Sequence, residues 1–324
     1  MRRRNVLALV GVAALFGPFR TTAQTRIARV AWLPFVDPRR DAAWALFIGQ
    51  LHDRGWTEGK NVEFHIRPVE GHVERYPEFA AELVALHPDV IIANGSAGTQ
   101  AVREKTSTIP IIMLGADDPV RLGFVASLAH PGGNITGISN QGADIYEKAF
   151  ELLSEARPGI KRIALLYAPA FPASRLCKTT LEASAPKHGL ILTSVALNTL
   201  ADLDHALATV RQSQPDVLIA HDTPISVSHA KDVAAFALDH RLLSFSWNGG
   251  TTSAGLLMSY SPDWGEIYRR LVVLVDKILK GSKPADIPVE QPTKFLLWLN
   301  HKTADGIGLE FPPSLLARAD EVIE

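Results

Sequence analysis

The chain has a single cysteine, Cys177, among 324 residues. That excludes an internal disulfide and a cysteine-rich zinc site. Because Cys177 lies far from the N-terminus, it also leaves no thiol beside a leader to carry a lipid anchor. Long apolar runs are scarce as well: the one from Val6 to Phe16 is too short to span a bilayer, and no later stretch reaches the ~20 apolar residues a transmembrane helix needs. Basic charge has no surplus, with 33 Lys and Arg against 34 Asp and Glu. Cleavage after Ala23 removes Arg2, Arg3, Arg4 and Arg20 and shifts the formal charge from -1 to -5. A mildly acidic surface argues against a nucleic-acid partner, which clustered Lys and Arg would hold. Neither a P-loop nor the fingerprint Gly-x-Gly-x-x-Gly is present, and His52, His65 and His72 lack metal-ligand spacing. No cofactor and no metal are expected.

What is present begins with a leader. Residues 1–24 combine Arg2, Arg3 and Arg4, the short apolar run and small residues at Thr21-Thr22-Ala23, which together read as a signal peptide. Arg3-Arg4-Asn5-Val6-Leu7 also resembles a twin-arginine export signal. A free periplasmic protein with no lipid anchor is the expectation.

Beyond the leader, short apolar runs alternate with segments of helical period, the order that gives parallel sheets covered on both faces. Strands are expected at Arg29–Leu33, Asn61–Ile66, Val90–Ala93, Ile109–Leu114 and Ile135–Ser139, with helices at Ala42–Arg54, Tyr76–His87 and from about Thr99. The second half repeats the plan. His87-Pro-Asp-Val-Ile-Ile-Ala-Asn94 is echoed by Gln214-Pro-Asp-Val-Leu-Ile-Ala-His221, and Arg29-Val-Ala-Trp-Leu-Pro34 by Arg162-Ile-Ala-Leu-Leu-Tyr167. Two copies in the same order predict two similar α/β lobes rather than a solenoid. Trp264–Leu279 is a long helix, and Lys294–Leu299 one more strand.

In open parallel sheets, ligands sit beyond the carboxyl ends of the strands. Asn94-Gly95-Ser96-Ala97-Gly98-Thr99 occupies such a place: its glycines permit close backbone approach, while Ser96 and the N–H groups of the following helix can donate to a carboxylate. If the lobes are related, their strand ends line one cleft, the usual home of small-ligand pockets. The candidate ligand-binding residues are Phe35, Asn94, Gly95, Ser96, Asp117 and Asp118 from the first lobe. From the second they are Tyr167, Asp222, Thr223, Trp247 and Asn248. Each has a plainer role available. Asp118 and Asp222 can start turns, Asp89 and Asp216 can cap strands, Trp32 can be core, and His221 beside Asp222 can be a structural pair. A hydrolase using Ser96 with His221 and Asp222 is the competing class, although Ser96 lacks the first glycine of a nucleophile elbow.

At Asp118-Pro-Val120, Val125-Ala-Ser-Leu-Ala-His-Pro-Gly-Gly-Asn-Ile-Thr-Gly137, Leu257-Met-Ser-Tyr260, Val275-Asp-Lys-Ile-Leu-Lys-Gly281, Lys283 to Phe295 and Pro312 to Glu324, the chain resembles a known family. These are the periplasmic substrate-binding proteins of ABC transporters, tryptophan/tyrosine-type group. The resemblance implies a type I periplasmic-binding-protein fold: two Rossmann-like lobes with parallel sheets joined by a hinge, the ligand cleft between them. It also implies no catalysis, with a permease and ATPase in the inner membrane as partners. Asn94-Gly95-Ser96 departs from the commoner Gly-Thr-Pro pattern, and Trp247-Asn248-Gly249-Gly250 also differs from many relatives. The expected first lobe spans 25–140 and about 262–284, the second 141–261 and about 285–324. The expected function is a monomeric receptor closing on a small carboxylate-bearing ligand, an amino acid or an aromatic or organic acid. A ligand-sensing subunit of a signalling system would use the same fold.

Overall fold

The computed structural model describes residues 26–40, 42–140 and 143–324; the expected signal peptide lies outside the described residues. Two sheets organise them. The first contains β1 (Ala28–Leu33), β2 (Val62–Ile66), β3 (Val90–Asn94), β4 (Ile111–Asp117) and β5 (Ile135–Asn140), in the order β2-β1-β3-β4-β5. All of its pairs are parallel. The second contains β6 (Arg162–Tyr167), β7 (Ile191–Ala196), β8 (Val217–Ala220), β9 (Leu243–Ser246), β10 (Met258–Pro262), β11 (Phe295–Asn300) and β12 (Glu321–Ile323). Its order is β12-β11-β10-β9-β8-β6-β7, and only β10 with β11 is antiparallel. Within it, β7-β6-β8-β9 reproduces the arrangement β2-β1-β3-β4.

The continuous apolar strands follow from burial on both faces, since successive side chains point to opposite sides. Val30, Trp32, Ile92 and Ile112 face one way, and Ala31, Leu33, Ile91, Ala93 and Met113 the other. Trp32 is core, as expected, and is fully buried. The first of these faces is covered by the helix Trp264–Leu279, whose Ile267, Leu271, Leu274, Val275 and Ile278 form a stripe at helical spacing. Each large apolar side chain removed from water this way contributes roughly 1.5–3 kcal/mol. Asp263 starts that helix by accepting a hydrogen bond from the Glu266 N–H at 3.1 Å.

The chain therefore crosses between lobes three times: after β5, after β10, and again before β11. The last crossing comes later than the sequence suggests. Residues 285–290, expected in the second lobe, run beside β5, where the Thr136 hydroxyl donates to the Ile287 carbonyl at 2.7 Å and Glu290 exchanges backbone hydrogen bonds with Gly137 and Ser139 at 2.9 Å each. Backbone groups along the edge strand β5 need partners, and this segment supplies them.

A second difference lies at the turn after β3. The helix expected from about Thr99 starts at once, as Gly95–Arg103, with Asn94 extended as its N-cap. Gly95 makes this possible with a φ of 63°, turning the chain out of the strand in one residue. A side chain there is also opposed by space, because a Cβ on Gly95 would lie 2.5 Å from the Phe35 ring.

Candidate functional site

A cavity of about 690 Å³ lies between the lobes, at the carboxyl ends of both sets of strands. The first lobe contributes Phe35, Asn94, Gly95, Ser96 and Asp117, and the second His221, Asp222, Thr223, Trp247 and Asn248. The crossings add Asn140, Tyr146 and Trp264, and β11 adds Trp298. This volume sits within the range of small-molecule sites, roughly 300–1,000 Å³.

Each polar candidate is held by local structure. Asn94 accepts a hydrogen bond from the Trp32 indole N–H at 2.7 Å. The Ser96 hydroxyl is buried and accepts from the Asp117 N–H at 3.0 Å, tying the ends of β3 and β4 together while leaving its own proton to donate. Thr223 caps the short helix Pro224–Ser228 in a reciprocal arrangement with Ser226, and Asn248 caps Gly249–Ser253 through the Gly250 N–H at 2.9 Å. Trp247 is buried, with its indole N–H on the Ile145 carbonyl at 3.1 Å and its ring edge-on to Tyr146 at 5.0 Å.

Two sequence candidates lie elsewhere. Asp118 adopts a φ of 36° and its carboxylate accepts the Arg121 N–H at 3.1 Å, so it closes a turn and does not line the cavity. Tyr167 ends β6, between β7 and β8, under the Lys178 ammonium, and does not line the cavity. Both misses have one cause: a strand end in sequence does not tell which neighbours flank it.

The electrostatics of the cavity are one-sided. Its described lining holds Asp117, Asp222, Asp263 and Glu321 but no Lys or Arg. Burial pushes the Asp222 carboxyl up to about 8, reinforced by the charge of Asp117 and opposed by the Trp247 backbone N–H. Burial likewise pushes Asp117 up to about 6 against hydrogen bonds from Asn140 and Tyr146. Asp222 Oδ1 is buried with no hydrogen-bond partner among the described residues. Burial lowers His221 to about 4, so the imidazole is neutral at pH 7 and contributes no compensating charge.

Two helices aim their N-termini at this acidic cavity: Gly95–Arg103 from the first lobe and Pro172–Ser184 from the second, neither capped by a side chain. Unpaired N–H groups at a helix start favour an anion. The site thus offers carboxylates for a cation and amide donors for a carboxylate.

A hydrolase arrangement is not assembled. Ser96 is bonded to Asp117, the His221 Nε2 lies 3.3 Å from the Tyr146 hydroxyl, and His221 Nδ1 has no partner, so both links of a Ser-His-Asp relay are missing. Among the described residues no group of three or more His, Cys, Asp or Glu is placed to hold a metal ion.

Sequence reasoning missed Tyr146, Asn140, Trp264 and Trp298. Asn140, Tyr146 and Trp264 sit at or beside a lobe crossing and Trp298 lies within β11, positions that become visible only once the crossings and the strand order are known.

A two-lobed α/β fold with a ligand-sized cavity at facing strand ends defines a solute-binding protein. The family ABC transporter substrate binding protein matches residues 30–323, and the chain belongs to that family. A curated relative, the tyrosine-binding protein of Clostridioides difficile (strain R20291), is 26% identical over 273 residues, covering 84% of this chain and 78% of the relative. A crystal structure of a conserved domain protein from Vibrio cholerae superposes with a TM-score of 0.84 at 28% identity, over 92% of this chain and 100% of that one. The fold is shared too with an ABC domain in complex with L-Trp from Streptococcus pneumonia, with a TM-score of 0.80 at 24% identity over 92% and 100% of the two chains. No helix among the described residues is long and apolar enough to cross a membrane.

Proposed function

We propose that this protein is the periplasmic receptor of an ABC importer for an α-amino acid with a flat, largely apolar side chain. The ammonium group lies between Asp117 and Asp222, and the carboxylate meets the Ser96 hydroxyl and the N-termini of Gly95–Arg103 and Pro172–Ser184. The side chain packs among the aromatic residues of the wall. Ligand contacts to both lobes favour the closed form, by no more than the ligand's differential affinity for it. The inner-membrane permease, driven by its ATPase, would then take the ligand from the closed receptor.

The observation that carries this reading is the pair of half-buried carboxylates, one from each lobe, in a cavity with no Lys or Arg in its described lining. A buried carboxylate needs a partner of opposite charge, and the ligand is the available source. That separates amino acids from simple organic acids, which Asp117 and Asp222 would repel. The tyrosine-binding relative and the L-Trp complex support the side-chain class.

Calorimetry with L-tryptophan, L-tyrosine, tryptamine and indole-3-propionate tests the assignment. The two amino acids should bind at least 30-fold more tightly than indole-3-propionate, the loss of one buried charge partner being worth about 2 kcal/mol or more. Equal affinity for the acid lacking an ammonium would overturn the reading. Small-angle scattering should show contraction on binding of the amino acid.

A further inference from the structure

We infer that the ligand-free cavity holds one proton between Asp117 and Asp222 and gives it up when a ligand ammonium group enters. In this exchange Tyr146 is the positioning residue that joins the acidic groups of the two lobes. The inference rests on the amino-acid reading of the same cavity.

The geometry leads to it in three steps. Asp117 stands at the end of β4 and Asp222 follows β8, so each lobe brings one half-buried carboxyl to a shared cavity. Two carboxylates so placed cannot both ionise cheaply, and the described lining offers no Lys or Arg to relieve them. The other groups facing them do not help. Of the remaining acids in the lining, Asp263 is paired with Lys294 at 3.4 Å and Glu321 adds negative charge; Asp118 adds more beside Asp117, while the Cys177 thiol, pushed up by burial and by both carboxyls, stays neutral. His221 is held neutral by burial too.

The surroundings also decide where the proton resides. Asp117 receives hydrogen bonds from Asn140 and Tyr146, which favour its ionised form. Asp222 receives only the Trp247 backbone N–H, and its Oδ1 has no partner among the described residues. The proton therefore sits on Asp222.

Tyr146 lies in the first crossing segment, on the helix Ala143–Tyr146, and reaches both lobes. Its hydroxyl bonds to Asp117 and lies 3.3 Å from His221 Nε2. If the phenol donates to Asp117 it must accept from Nε2–H, which leaves Nδ1 bare, and Nδ1 is the atom without a partner. The balance of the exchange is simple. The Asp222 carboxyl releases its proton to solvent and the ammonium takes its place against the new carboxylate, so the charge around the two aspartates does not change; the ligand's own carboxylate adds one negative charge at Ser96 and the two helix N-termini.

The test has an arm with ligand and an arm without. L-tryptophan is titrated calorimetrically at pH 6.5 in phosphate and in imidazole, buffers of different ionisation enthalpy. The expected result is release of between roughly half and one proton per ligand, with apparent affinity rising up to about tenfold per pH unit below the Asp222 titration. Asp222→Asn should abolish the release. Binding with no buffer dependence overturns the inference and leaves the amino-acid reading intact. Carbon-13 NMR of the ligand-free protein needs no ligand. One aspartate carboxyl should titrate with a midpoint well above 6 and be absent in Asp222→Asn, and Tyr146→Phe should raise the midpoint of Asp117. Ordinary midpoints near 4 for both carboxyls overturn the inference. If L-tryptophan fails to bind, the amino-acid reading falls and the NMR titration still decides the proton.

Discussion

The two matched strands, β3 and β8, are alike at one end and unlike at the other. At their starts, His87-Pro88-Asp89 and Gln214-Pro215-Asp216 use the same device. The residue before proline takes a left-handed conformation, with φ of 49° in His87 and 48° in Gln214. The aspartate then accepts the backbone N–H that begins the neighbouring strand, Arg29 for Asp89 and Arg162 for Asp216, each at 2.8 Å. At their ends the copies part. The first runs through Asn94 and Gly95 directly into a helix, whereas the second places His221 and Asp222 before a capped turn at Thr223. The starts join strands to each other, a task both lobes share, and the ends line the cavity, to which each lobe brings different groups.

That division can be broken from either side. The largest effect is expected at Asp222. Asp222→Asn should weaken L-tryptophan by roughly 30-fold to several thousandfold, the usual consequence of removing a buried charge partner, as read by calorimetry at pH 8. Indole-3-propionate should not weaken in parallel, and a parallel loss would show that the substitution merely damages the site.

The same variant should change the pH dependence of folding. The Asp117 and Asp222 carboxyls have ordinary values of 3.8 that the fold raises to about 6 and about 8. Their contribution to stability is thus fully present below about pH 4 and is lost as pH rises through 6 and 8. His221 acts in the opposite direction: with its value lowered from 6.5 to about 4, its contribution is present above 6.5 and lost as pH falls through 4. Urea midpoints of the ligand-free protein should therefore fall between pH 6 and pH 8, and fall less in Asp222→Asn.

Ser96→Ala should cost less, roughly 10- to 100-fold for every ligand carrying a carboxylate, since a hydrogen bond to a charged group is worth about 1.5–3 kcal/mol. Tryptamine should be nearly indifferent. An unchanged Kd for L-tryptophan in a folded Ser96→Ala protein would reduce Ser96 to the partner of the Asp117 N–H.

At the strand starts, Asp89→Asn and Asp216→Asn should each lower stability by about 1–3 kcal/mol in urea denaturation and leave affinity unchanged. A marked difference between them would mean the two devices are not equivalent. The smallest effects on binding are expected from Asp118→Ala and Tyr167→Ala, which alter a turn and a strand end outside the cavity.

Much of the architecture was legible because it is written in local patterns. Buried parallel strands need unbroken apolar runs, and the Pro-Asp-Val repeat marks a strand start whose aspartate has an adjacent duty. Trp264–Leu279 was readable from its apolar stripe to the residue. The helix begins at Gly95, earlier than its sequence suggests, since Gly-Ser-Ala-Gly-Thr reads as a loop by composition and only the positive φ of Gly95 lets the helix begin there. Of the site, Phe35, Asn94, Gly95, Ser96, Asp117, Asp222, Thr223, Trp247 and Asn248 could be inferred as strand ends, and all line the cavity. Asp118 and Tyr167 satisfied the same rule and do not.

The sequence by itself determined two α/β units, their strands and the residues that end them, because burial and backbone pairing impose short-range periodicities that any local stretch displays. Only the tertiary structure decided that Asp117 and Asp222, 105 positions apart by direct subtraction, share one cavity and that Tyr146 stands between Asp117 and His221. It also decided that no Lys or Arg is among the described residues lining that space. Charge in a cavity depends on everything that surrounds it, and what surrounds this one comes from two lobes and three crossings that no single window of sequence contains.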